Sequence, residues 1–199
     1  MAKGELKNIF LSASIPFKER HEKYYSTADI IAIRDAVVAL AALVIPKYRL
    51  VWGGHPSITP IIYYILEKFE LDIQDHVKLY QTKFYEKIFP VENKGFENIE
   101  ITEDLGDLSS SLQLMREKML GDNDYKAGIF IGGMEGVEDE YKMFIKLNPD
   151  AILLPIASTG GAAKIIYENY LESELQNEKL LNDYAYMSLL QELLMDNIK

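Results

Sequence analysis

Three short segments carry glycine where an apolar run ends, and their residue types suit the binding of an anion. They are Leu50-Val51-Trp52-Gly53-Gly54-His55-Pro56, Gly128-Ile129-Phe130-Ile131-Gly132-Gly133-Met134-Glu135-Gly136 and Ile152-Leu153-Leu154-Pro155-Ile156-Ala157-Ser158-Thr159-Gly160-Gly161. Glycine lets backbone approach a ligand closely, and the N–H groups that open a following helix attract negative charge. In one α/β sheet such turns gather at the carboxyl edge of the strands, where open sheets bind ligands. That chemistry predicts a phosphate-bearing nucleotide or sugar.

Side chains near these turns extend the candidate set. Ser12 and Ser14 close the first apolar run, His55 follows the first glycine pair, and Ser158 and Thr159 precede Gly160. Each also has a plainer reading. The glycines Gly53, Gly54, Gly132, Gly133 and Gly160 permit tight turns, the serines satisfy backbone at strand ends, and Ser158 and Thr159 cap a helix. Glu135, Glu138, Asp139 and Glu140 form an acidic cluster that complements a helix N-terminus. Tyr24 and Tyr25 precede the first long helix, in a position either to pack or to fold over a base.

The elements that position these residues alternate regularly. Strands are predicted over Asn8–Ser14, Tyr48–Gly53, His76–Thr82, Ala127–Ile131 and Ala151–Ile156. Helices are predicted from the capping run Ser26-Thr27-Ala28-Asp29 to Val44, over Thr59–Phe69, Leu108–Leu120 and Val137–Leu147, and from Gly161 and Asp183 onward. Phe84 to Glu103 reads as an irregular loop or flap, long enough to suggest a functional role. The pattern predicts an α/β Rossmann-like three-layer sandwich of about five parallel strands, ordered 3-2-1-4-5, with helices on both faces. The 199 residues, 48% of them apolar, suit a single domain spanning the chain.

Composition narrows the functions. The formal charge of −10 argues against nucleic acid as a partner, because such binding rests on clustered Lys and Arg. With no cysteine, disulfides, thiolate metal sites and cysteine nucleophiles are excluded. His21 and His76 stand apart from any second ligand pattern, so no metal and no cofactor is predicted. The longest apolar run, Ala36 to Pro46, is too short to span a bilayer, and no signal peptide is evident. A cytoplasmic protein without a membrane partner is expected.

The segment Ile131-Gly132-Gly133-Met134-Glu135-Gly136-Val137-Glu138-Asp139-Glu140 resembles the Pro-Gly-Gly-x-Gly-Thr-x-x-Glu signature of the Lonely Guy phosphoribohydrolases and their lysine-decarboxylase-like relatives. Met115-Arg116-Glu117-Lys118 resembles the family's Met-x-x-Arg-Lys helix, with Arg116 at the family's spacing from the glycine pair. Ile131 stands for the family's Pro and Val137 for its Thr. One extra residue lies between Gly133 and Gly136, so the family's catalytic Glu falls on Asp139 or Glu140; one inserted residue favours Glu140. The wider group is the SLOG superfamily of Rossmann-like nucleotide-binding domains. Leu11-Ser12-Ala13-Ser14, Gly53-Gly54-His55-Pro56 and Ser158-Thr159-Gly160-Gly161-Ala162-Ala163 look closest to its Sir2- and TIR-associated branch, which includes the sensor domain of the Thoeris antiphage effector.

The resemblance implies two functions. In the first, the chain binds an NAD-derived nucleotide such as a cyclic ADP-ribose isomer, as a sensor or sequestering module. Glycine turns would hold the pyrophosphate, Arg116 would neutralise a phosphate and Glu140 would accept ribose hydroxyls. In the second, a nucleoside-monophosphate phosphoribohydrolase uses Arg116 and Glu140 to cleave the N-glycosidic bond. The apolar helix from Ser26 and the segment Tyr184–Leu194, together with the resemblance, also predict a homodimer or higher homo-oligomer.

Overall fold

The computed structural model describes residues 6–19, 21–69 and 73–198. Six parallel strands form one sheet: β1 Asn8–Ser14, β2 Arg49–Gly53, β3 Val77–Thr82, β4 Ile99–Thr102, β5 Tyr125–Gly132 and β6 Ile152–Ile156. Their order is β4-β3-β2-β1-β5-β6. With β5 and β6 as the predicted fourth and fifth strands, the expected order is present and extended by β4 at one edge. β4 lies inside the stretch expected to be irregular, and pairs Leu79 with Ile99 and Thr82 with Thr102. The rest of that stretch is two 3-10 turns, Lys83–Ile88 and Val91–Gly95.

Alternation along the strands builds two cores, one on each face. Phe10, Val51, Tyr80 and Phe130 are buried on one side. Ile9, Leu11, Leu50, Trp52, Leu79, Ile129 and Ile131 are buried on the other. Each such side chain contributes about 1.5–3 kcal/mol when fully buried. Pro155 falls in the edge strand β6, where its missing N–H breaks no ladder between two neighbours.

The helices are α1 Glu22–Tyr25, α2 Ile30–Val44, α3 Thr59–Leu66, α4 Leu108–Gly121, α5 Glu135–Leu147, α6 Gly161–Asn169, α7 Glu178–Asn182 and α8 Tyr186–Leu190. Of the predicted capping run, Asp29 is the residue that starts α2: its Oδ1 accepts from the N–H groups of Ile31 and Ala32, both at 3.0 Å. The single closing helix expected from Asp183 is instead α8 continued by a π-helical turn, Gln191–Met195. α2 and α8 pack on each other, so most of their apolar surface is covered within the chain. Ile30, Ile31, Tyr184 and Met187 remain about half exposed or more.

Strand β1 lies between β2 and β5, so the chain winds outward to one side of β1 and then returns to the other. A crevice opens at the carboxyl ends of the strands at such a switch.

Candidate functional site at the switch point

A cavity of about 660 Å³ occupies that crevice, within the range of small-molecule sites. Ser12 and Ser14 enter it from β1, Gly53 to Pro56 from the end of β2, Gln81 from β3 and Arg116 from α4. α5 supplies Gly136, Asp139 and Glu140, and Tyr85 to Pro90 form the outer wall.

A hydrogen-bonded triad stands at its centre. Ser12 Oγ donates to Glu140 Oε2 at 2.6 Å, and Arg116 Nε donates to Glu140 Oε1 at 3.2 Å. Three elements distant in sequence thereby meet in one network. The helix phases explain why. On α4, Met115 and Met119 are buried against the sheet, and Arg116 follows one turn after Leu112 on the cavity wall. On α5, Val137, Tyr141 and Phe144 are buried, and Glu140 lies one turn from Val137 and Phe144 on the flank that meets α4. The side chains of Arg116 and Glu140 are each 14% exposed, which makes their charge-assisted bond strong, whereas Asp139 is 55% exposed and pairs with Arg116 Nη1 at 3.7 Å. Of the two acids left open by the motif, Glu140 is the one turned inward.

Among the described residues, Arg116 is the only Lys or Arg on the cavity wall, against Glu135, Asp139 and Glu140. No side chain caps α5, whose first-turn residues Glu135 and Gly136 lie on the wall. An anion is therefore favoured there by the helix dipole and by Arg116, against the field of the acids. His55 lies on the opposite wall, its Nδ1 accepting from the Ser57 N–H at 3.2 Å and its own N–H donating to Thr59 Oγ1 at 3.3 Å.

Several expected residues are placed elsewhere. Gly132 and Gly133 lie at the switch point, but the first donates its N–H to Thr159 Oγ1 and the second to Ser14 O, at 2.9 and 2.8 Å. Those donors are spent inside the protein, and neither residue lines the cavity. Ser158 Oγ donates to Asp183 O at 3.0 Å, and Thr159 Oγ1 to Ile156 O at 2.6 Å. With Gly160, these residues bind the third turn to α2 and the C-terminal segment rather than to the cavity. Tyr24 does not lie over a base position. Its buried hydroxyl donates to Glu138 Oε1, and Tyr170 donates to Glu138 Oε2 at 3.0 Å. Burial and the Glu138 carboxylate push the Tyr24 hydroxyl up to about 12. Burial alone would raise Glu138, but hydrogen bonds from Tyr24 and Tyr170, with Lys23 nearby, hold it below its ordinary value. This second acid fastens α1 to α5 and does not line the cavity.

Sequence patterns alone pass over Gln81, whereas Tyr85, Ile88, Phe89 and Pro90 of the cavity lining fall in the segment expected to be a functional loop or flap. A Gln at the end of an apolar strand carries no motif, and the wall was legible only as a long irregular segment.

No cluster of three or more His, Asp or Glu among the described residues could hold a metal ion. No helix among them is long and apolar enough to cross a membrane. No curated protein matches the chain at a significant level. The crystal structure of TM1055, a structural genomics target, is similar over 88% of this chain and 89% of that one, with 14% identity and a TM-score of 0.49. The profile of the SLOG cluster 3 family matches residues 23–194, a span that holds β2 to β6, all three glycine turns, and Arg116 and Glu140. By that match, the chain belongs to the SLOG cluster 3 family.

Proposed function

We propose that the cavity binds a phosphate-bearing nucleotide, an NAD-derived signal such as a cyclic ADP-ribose isomer, and that the chain senses or sequesters it. The observation that carries this reading is the state of Glu140. Arg116 holds one of its carboxylate oxygens and Ser12 the other. A carboxylate engaged at both oxygens suits a fixed receptor for ribose hydroxyls better than a group that must activate water. The phosphate would lie between Arg116 and the first turn of α5, with Ser14 and His55 toward the sugar. Gly53 and Gly54 allow the β2 turn to approach it.

A second reading, a nucleoside-monophosphate phosphoribohydrolase, is favoured by one observation. Arg116 and Glu140 share the cavity, as an oxocarbenium-stabilising acid and a phosphate clamp must. Incubation with nucleoside monophosphates and with cyclic ADP-ribose isomers, followed by mass spectrometry and calorimetry, separates the two. Tight binding with the ligand recovered intact is expected; release of free base would replace the sensor with the hydrolase.

In this reading residues 1–199 act as one cytoplasmic binding unit in TIR signalling of the antiphage type. Its exposed Ile30, Ile31, Tyr184 and Met187 would join copies into a homodimer or higher homo-oligomer. Light scattering is expected to give a multiple of the 22.8 kDa chain mass. A monomer mass at all working concentrations would remove that part.

A further inference from the structure

Gln81 is 4% exposed and lines the cavity, yet among the described residues its side-chain amide has no hydrogen-bond partner. Its backbone is fixed to β4. The Gln81 carbonyl accepts from Thr102 Oγ1 at 3.4 Å, and residue 81 pairs with Ile101 of β4. The side chain is packed as well: a Cβ at Gly54 would fall 1.8 Å from Gln81 Nε2 and 2.5 Å from Cδ. Glycine at 54 thus leaves the space that the amide occupies. Neither amide atom is among the fully enclosed unpartnered ones, so the amide faces the cavity with its donors and acceptor open to it. Such a group, held in place by its packing, is available to a partner that enters with the ligand.

The surroundings indicate which part of the ligand that is. Arg116, Glu140 and the first turn of α5 supply charge and helix dipole on one wall. Gln81 lies beside Gly54, and Pro56, Ile88 and Phe89 add apolar surface to the same cavity. A planar group with an adjacent donor and acceptor suits an amide, and an amino-bearing base edge presents that pair. We infer that Gln81 is a specificity-determining residue that hydrogen-bonds the amino-bearing edge of the ligand's base. This inference rests on the nucleotide reading above and adds to it the means of choosing among nucleotides.

The test compares three named probes by calorimetry: adenosine 5′-monophosphate, purine riboside 5′-monophosphate, which lacks only the exocyclic amino group, and ribose 5-phosphate. The wild type is expected to bind the first about tenfold or more tighter than the second, the scale on which a site built for a hydrogen bond rejects a ligand that lacks it. Gln81→Met keeps the length and lack of branching but no amide. It is expected to bind both purine nucleotides within about threefold of each other, with ribose 5-phosphate unaffected. Gln81→Asn retracts the amide by one methylene and serves if the Met variant melts early; it too is expected to close the gap. A gap that persists in these variants, or is missing from a wild type that binds the nucleotides, overturns the role of Gln81 and leaves the nucleotide reading in place. A wild type that binds none of the three overturns the role of Gln81, and one that binds no cyclic ADP-ribose isomer either overturns both.

Discussion

Replacing Arg116 by Ala is expected to weaken nucleotide binding by about 1.5–3 kcal/mol, the scale of a charge-assisted hydrogen bond. Arg116 is the only Lys or Arg on the cavity wall among the described residues, and its guanidinium lies between Glu140 and Asp139. Its removal therefore does two things. The phosphate loses a planar two-pronged donor, and Glu140 is left to repel the same phosphate. Arg116→Lys restores the charge without the fork, so it should recover only part of the loss. Glu140→Gln is expected to act in the opposite direction. An amide keeps a hydrogen bond to Ser12, removes a negative charge and releases Arg116 toward the ligand, so anion affinity is held or increased. Titration of the wild type and the three variants with one nucleotide checks all of this. Equal affinity in the wild type, Arg116→Ala and Arg116→Lys would move Arg116 out of the site. A Glu140→Gln protein that binds but abolishes a base release seen in the wild type would make Glu140 a hydrolase's acid.

Gly160→Ala should cost the fold about 3–5 kcal/mol, among the largest effects of a single substitution. The residue has φ of +70° and ψ of −156°, a region essentially restricted to glycine. A Cβ there would stand 1.8 Å from the Thr27 carbonyl oxygen and 2.4 Å from its carbon. The obstacle is backbone, not a side-chain tip that can swing aside. For a chain of this size the melting temperature should fall by about 6–20 °C. Nucleotide affinity of the folded fraction is expected to stay unchanged, because Gly160 lies off the cavity wall. Chemical denaturation and calorimetry on the same samples measure both quantities. A variant of wild-type stability that had lost affinity would return the third turn to the ligand.

What the sequence shows of this fold follows from how much signal each element carries. β1 was legible to the residue, Asn8–Ser14, because the apolar Ile9-Phe10-Leu11 and Ala13, with small polar residues at its ends, suit a buried strand. β4 was not, because Ile99-Glu100-Ile101-Thr102 is four residues of alternation behind a stretch rich in turns. Its strand character comes from pairing with β3, a tertiary fact. Ser12, Arg116 and Glu140 were legible as candidates, through position and spacing, but their mutual contacts were not. Those contacts follow from the packing of α4 against α5 and of α5 against β1. The glycine turns look alike in sequence, yet Gly53-Gly54 line the cavity and Gly160-Gly161 serve internal packing. Their N–H groups do not tell them apart, since Gly54 gives its own to Tyr80 O at 2.8 Å as Gly161 gives its own to Thr27 Oγ1 at 3.0 Å; only their place relative to the cavity does. Gln81 lacked any signal, since a single polar residue in an apolar strand has meaning only once the cavity beside it is known.

The Thr159 side chain has a consequence for how a guest molecule is received. Its hydroxyl accepts from Gly132 at the end of β5 and donates to Ile156 at the end of β6, while its carbonyl accepts from the N–H of Asp29, which starts α2. One residue thus rivets three elements on the β5 side of the crevice. On the β3 side, the wall from Tyr85 to Pro90 rests on 3-10 turns, with Ile88 65% exposed and Val91 beyond it 70% exposed. Segments with few buried contacts open at the least free energy. The receptacle is accordingly a vice with one fixed jaw and one sprung jaw. Ser12 and Glu140 of the polar triad belong to the fixed side, and Arg116 reaches them from α4, which packs on β2, β3 and β4, so in the nucleotide reading the cost of ordering would fall mainly on the apolar jaw.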